Sequence, residues 1–210
     1  MDSYTGIFNA YQRAFEETGV KFPGTGFVKS VIGAPLTAAF EGAPGMDASV
    51  IPRAVGFYRA YYQQRGMHEV SVYEGMEDTL RALREAGCFL GVATLKRESF
   101  ARRMLEEQGL LPYFHAVCGM DPGDRLTKAD LIRRCVRQAG FDRRETILVG
   151  DSAFDAEGAR QAGVAFLAVT YGYGFSARRL PSPDEAAMTA DSPREILTRL
   201  RPAEPSPAPG

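Results

Sequence analysis

The sequence predicts an α/β fold, an open parallel sheet flanked by helices and preceded by a small all-helical segment. Two observations carry this. From residue 69 onward short apolar runs alternate with helical stretches, and strand–helix–strand alternation implies parallel pairing. Before that point apolar residues recur at helical spacing, and Gly and Pro punctuate short segments.

Taken in order, Ile7, Phe8, Tyr11 and Phe15 fall on one stripe of a helix running from Ser3 to about Gly19, where glycine is the stop signal. Between Gly24 and Pro52 the apolar groups 28–32 and 36–40 read as short helices joined by tight turns. A longer helix passes through Val55, Tyr58 and Tyr62 and ends near Gly66. Then come helix 76–86, strand 88–93, helix 99–108, strand 116–118 (its apolar run reaching 120), helix 128–139, strand 146–149, helix 154–161 and strand 165–169. A last short strand at 186–188 and a helix at 193–200 precede a Pro/Ala/Ser tail unable to form a core. The domain reading is a helical unit 1–72, an α/β core 73–201 and a disordered tail 202–210.

At 210 residues and 45% hydrophobic, the chain can bury a substantial core. Lys+Arg 25 against Asp+Glu 26 gives a net charge of -1, so no global field draws nucleic acid or an anionic membrane. Any phosphate must be held by local groups. Cys88, Cys118 and Cys135 lack metal-ligand spacing, which favours buried, reduced thiols over a zinc site. No apolar run approaches a membrane span and residues 1–4 open neither a signal peptide nor a basic presequence, so the expected location is the cytoplasm.

Ligand sites of open parallel sheets lie beyond the carboxyl ends of the strands, and three such places hold polar residues. Thr94 follows an apolar run and precedes a helix, where its hydroxyl could meet an anion or simply cap the helix. Asp151 and Asp155 follow a strand and Gly150, one helical turn apart, as Mg²⁺ ligands or as a cap with an exposed neighbour. Lys128 opens a helix, either to neutralise phosphate or hold a carboxylate, or as a solvated surface residue. Tyr58, Tyr61 and Tyr62 read as packing rather than substrate contacts.

In this order and spacing the segments resemble the haloacid dehalogenase superfamily, in its branch of phosphoglycolate phosphatases and 5'-nucleotidase-like enzymes, over about residues 2 to 200. Residues 74–80 and 170–174 are similar to the same branch. The resemblance implies a Rossmann-like core with a small helical cap, and Mg²⁺-dependent hydrolysis of a small phosphorylated metabolite through an aspartyl-phosphate. It implies that Thr94 and Lys128 bind phosphate and stabilise its charge, and that Asp151 and Asp155 serve the metal or its supporting shell. Nucleic acid and membrane are not expected partners.

One departure from the family pattern stands at the start. Asp2-Ser3 is similar to the segment just after the family's first motif, Asp-x-Asp-Gly-Thr, which supplies the nucleophile from a central strand. Asp2 is not expected to substitute for it, and Asp121 reads as a loop residue. The expectations are therefore an internal methionine at position 1, strands before Thr94 and Asp151 standing two spacings, roughly 10 Å, apart or collapsed together, and impaired activity. Two rivals accompany this reading: a 5'-nucleotidase-like activity, and a non-catalytic remnant that binds a phosphorylated ligand or a partner.

Overall fold

A computed structural model of the chain describes residues 1–123, 125–176, 186 and 188–200. Helix α1 (Tyr4–Thr18) buries the predicted stripe through Ile7, Tyr11 and Phe15. It stops at Gly19, whose φ of 72° lets its N–H reach the carbonyls of Phe15 and Glu16. Short helices α2 (Thr25–Val31) and α3 (Leu36–Glu41) follow, then α4 (Ile51–Tyr61), which runs into a π-helical turn over Tyr62–Gly66. Their shared core is aromatic: the Tyr11 ring meets Phe27, Phe40 and Tyr58 edge-on at centroid distances of 5.6, 5.3 and 4.8 Å. Tyr58 and Tyr62 stack at 5.8 Å, as the packing reading expected, and the Tyr61 hydroxyl donates to Glu69.

The rest of the chain alternates as predicted: α5 (Met76–Glu85), β1 (Gly91–Arg97), α6 (Glu98–Glu107), β2 (Ala116–Met120), α7 (Lys128–Ala139), β3 (Ile147–Gly150), α8 (Ala153–Ala162), β4 (Ala165–Val169), β5 (Met188–Ala190) and α9 (Pro193–Leu200). All strand pairs are parallel, but they form two pieces: β1 with β2, and β3–β4–β5. Among the described residues no strand pairing joins β1 to β3. Between them lies a cavity of about 690 Å³ lined by Val92, Ala93, Leu148 and Val149 from the strands, with helix residues on either side.

Several expectations need correction. The sheet is split by a slot between β1 and β3, one of the two arrangements expected, but β1 and β3 are half-buried rather than buried because each is paired along one edge only. Val149 is 38% exposed for that reason. The strand expected at 88 begins at Gly91, since Cys88 closes the end of α5: its N–H bonds the Leu83 carbonyl while that of Gly87 bonds Arg84. Cys88 is consequently exposed, whereas Cys118 is buried and Cys135 partly so. The last strand is displaced to Met188–Ala190 by its register against Leu167–Val169. The expected tail 202–210 and Ala187 lie outside the described residues. No helix among the described residues is long and apolar enough to cross a membrane.

Candidate active site

The register of β1 slips just where Thr94 stands. Ala93 pairs with Cys118 and Arg97 next with Met120, so residues 94–96 bulge out of the ladder and re-aim their side chains. Thr94 Oγ1 accepts from the Lys96 N–H at 3.2 Å, inside the strand. Thr94 is therefore not the helix cap; α6 starts after Arg97, which makes no side-chain capping bond. Lys96 Nζ donates to the Tyr62 hydroxyl at 2.9 Å and to Ser3 Oγ at 3.4 Å, and sits 5.0 Å from the centre of the Tyr62 ring.

Lys128 is placed by the start of α7. The Thr127 side chain accepts from the Asp130 N–H and the Asp130 carboxylate accepts in return from the Thr127 N–H, a reciprocal cap that fixes the first turn. From there Lys128 Nζ reaches the Ala93 carbonyl at 2.8 Å and Asp155 Oδ1 at 2.7 Å. The two side chains are 17% and 13% exposed, so Lys128 is not a solvated surface residue. It ties the β1 piece of the sheet to the start of α8, which follows β3.

Asp155 uses both oxygens. Oδ2 accepts from the Ser152 N–H at 3.1 Å and its hydroxyl at 2.7 Å, while Ser152 Oγ caps the Asp155 N–H. Ser152, not Asp151, is the cap of α8. Burial is the strongest influence on Asp155 and opposes its charge, but Lys128 and the Ser152 bonds together outweigh it and hold the carboxyl below its usual range.

Asp151 follows Gly150 at the tip of β3 and is gripped by the 170–174 loop. Its Oδ2 accepts from the Tyr173 N–H at 2.7 Å, and its carbonyl from the Phe175 N–H at 2.6 Å. A Cβ on Gly172 would run into the Asp151 carboxylate, so only glycine lets the loop pass this close. Oδ1 of Asp151 accepts no hydrogen bond from the described side chains or backbone. Asp2 is engaged elsewhere, accepting from the Tyr4 N–H at 2.9 Å and the Tyr173 hydroxyl at 2.7 Å. Burial, then the bond to Asp2, raises the Tyr173 hydroxyl, which stays a donor. Asp121 is a loop residue that accepts from the Arg125 N–H.

A cleft of about 380 Å³ brings Thr94, Lys128, Asp151 and Asp155 together with Lys96 and, from the helical segment, Tyr62. All four expected residues meet there. Lys96 and Tyr62 were missed: Lys96 lies two positions after Thr94 and was within reach of the same argument, whereas nothing local sets Tyr62 apart from its packed neighbours. Arg59 and Arg97 also line the cleft, so cations outnumber the two carboxylates. Among the described residues there is no cluster of three or more metal-ligating side chains. One carboxylate with a free oxygen, as at Asp151, still suits Mg²⁺, which completes its shell with water and phosphate oxygens.

A parallel α/β core with a cationic cleft and acidic strand tip at the carboxyl ends of β1 and β3 defines a phosphate-handling enzyme class. Residues 1–169 match the haloacid dehalogenase-like hydrolase family, and the chain belongs to it. It is 32% identical over 174 residues to a 5'-nucleotidase of Pseudomonas aeruginosa, covering 82% of this chain and 79% of that one. It is 31% identical over 200 residues to the tyrosine-protein kinase PtkA of Mycobacterium tuberculosis (93% and 68%), and 30% over 208 residues to a phosphoglycolate phosphatase of Pseudomonas syringae (94% and 74%). A haloacid dehalogenase-like hydrolase from Streptococcus pneumoniae superposes with a TM-score of 0.86 at 30% identity, covering 95% of this chain and 92% of that one.

Proposed function

We propose that this chain is a cytoplasmic, Mg²⁺-dependent phosphatase of small phosphomonoesters, phosphoglycolate phosphatase-like, with residues 1–72 as its cap and 73–201 as its core. The observation that carries this reading is the buried Lys128–Asp155 pair, bonded to the Ala93 carbonyl beside Thr94 and sharing one cleft with Asp151. Thr94 and Lys128 bind the phosphoryl oxygens and stabilise the charge that develops on them. Asp151 offers its free oxygen to Mg²⁺, while Asp155 acts in the supporting shell, orienting Lys128. Mg²⁺, when bound, would supply Lewis-acid neutralisation of the phosphate. Hydrolysis through an aspartyl-phosphate needs an uncommitted carboxylate in line with phosphorus. Asp155 is ion-paired, Asp2 is bonded to Tyr4 and Tyr173, and Asp151 is given to the metal, so turnover by these 210 residues alone is impaired.

The test is phosphate release with Mg²⁺ from a panel of phosphoglycolate and nucleoside monophosphates. It is run on this chain and on one carrying an apolar strand and Asp-x-Asp-Gly-Thr ahead of Met1. Turnover by the extended chain, lost on Asp151→Asn, is the expected result. Equal rates from both would overturn the impairment, and silence from both would favour the non-catalytic phospho-ligand binder. A second reading, nucleoside monophosphate hydrolysis, is supported by the likeness to the 5'-nucleotidase of Pseudomonas aeruginosa. Preference for nucleotides within the panel would select it.

A further inference from the structure

One wall of the cleft carries positive charge that the phosphate-binding groups leave unmatched. Lys128 is paired with Asp155, whereas among the described residues neither Lys96 nor Arg97 has a carboxylate partner. The partners of Lys96 are the hydroxyls of Tyr62 and Ser3 and the Tyr62 ring. Arg97 makes no side-chain hydrogen bond among the described residues, and its Nε is buried without a partner. Buried polar atoms are nearly always satisfied, so an orphaned guanidinium nitrogen calls for an explanation.

The gap between the sheet pieces does not supply one, because neither residue borders the slot between β1 and β3. Both face the helical segment. Lys96 meets Tyr62, and Arg97 stands near Arg59: burial first, then the charge of Arg97, lowers the Arg59 guanidinium from its usual range. Arg59 and Tyr62, three residues apart at the end of α4, present one helical face to this wall of the cleft. Cations gathered in one partly buried place repel each other, and an anion among them relieves the repulsion. Thr94 stands three positions before Arg97 in the bulged end of β1, a reach of roughly 10 Å at most. A phosphoryl group at Thr94 and an anion at Arg97 therefore fit within one small molecule. The planar fork of a guanidinium matches a carboxylate through two N–H bonds. The cleft holds about 380 Å³ and must also take the phosphoryl group, which favours the smaller anion.

We propose that Arg97, assisted by Lys96, forms a second anion subsite that selects phosphomonoesters carrying a carboxylate a few bonds from the phosphate, over neutral alkyl or nucleoside esters. The inference rests on the phosphatase reading for its first subsite, and its readout is binding. Phosphoglycolate and ethyl phosphate, which has the same chain length and no carboxylate, are titrated calorimetrically with Mg²⁺ into the 210-residue protein. Phosphoglycolate binds at least about tenfold more tightly. Arg97→Gln brings the ratio of the two affinities to within about twofold, and Arg97→Lys, which keeps the charge and loses the fork, retains part of it. Lys96→Gln, at a separate position, narrows the ratio as well. Circular dichroism melts establish that each variant is folded. A ratio near one in the unsubstituted protein, or a preference that survives Arg97→Gln, would overturn the subsite and leave the phosphatase reading standing. Binding of neither ligand would overturn both.

Discussion

The helical segment and the sheet are solved to different degrees by the same chain. In the segment from α1 to α4, Ala14, Phe15, Val28, Phe40 and Ala54 are all 0% exposed and the aromatic rings interlock. In the core, β1 and β3 are half-exposed along the slot, although β2 is buried along its whole length and β4 over most of its own. Helices satisfy their backbone within themselves, so their core needs only matching apolar faces. A strand needs a neighbour on each edge, and a sheet shows every missing partner as exposed surface and unpaired backbone.

That contrast can be broken by measurement. Phe15→Ala removes the centre of the helical core and should cost ~3–5 kcal/mol in urea unfolding. A cost below about 1 kcal/mol would mean that core is no better packed than the slot. Lys128→Met should cost about as much, ~3–5 kcal/mol at neutral pH, because it leaves Asp155 charged, buried and unpaired and cuts the tie between the two sheet pieces. The pH dependence carries a definite sign. Asp155 is depressed below its ordinary 3.8, so its contribution to the unsubstituted protein is present above that pH and lost as pH falls through the folded value. In Lys128→Met only the Ser152 bonds oppose burial of the charge, so the carboxyl is depressed less than in the unsubstituted protein and the gap between the two proteins narrows as pH falls. A gap that widened toward acid would refute the pairing.

Smaller effects sharpen the same contrast. Thr127→Ala removes the side-chain half of the α7 cap and should cost ~1 kcal/mol, with loosened placement of Lys128. Val149→Ala, on the open side of β3, should stay within about 0.5 kcal/mol if the slot is open. A cost comparable to that of Phe15→Ala would show a closed, packed slot instead.

Much of this molecule was legible one segment at a time. The stripe through Ile7, Tyr11 and Phe15, the glycine stop at Gly19, the order of the remaining helices and strands, and the strand tip at Asp151 follow from short-range periodicity and turn chemistry, whereas β1 runs on past Thr94 to Arg97. Membership of the haloacid dehalogenase-like hydrolases was readable from the ordered set of segments. Tertiary structure alone decided the rest. That Lys128 is buried against Asp155, that Tyr62 of the helical segment reaches Lys96, and that Ser152 rather than Asp151 caps α8 depend on which side chains meet in space. The split between β1 and β3 was expected from the resemblance, but which helices close over each piece was not, because those contacts join residues far apart in the chain and local pattern carries no record of them.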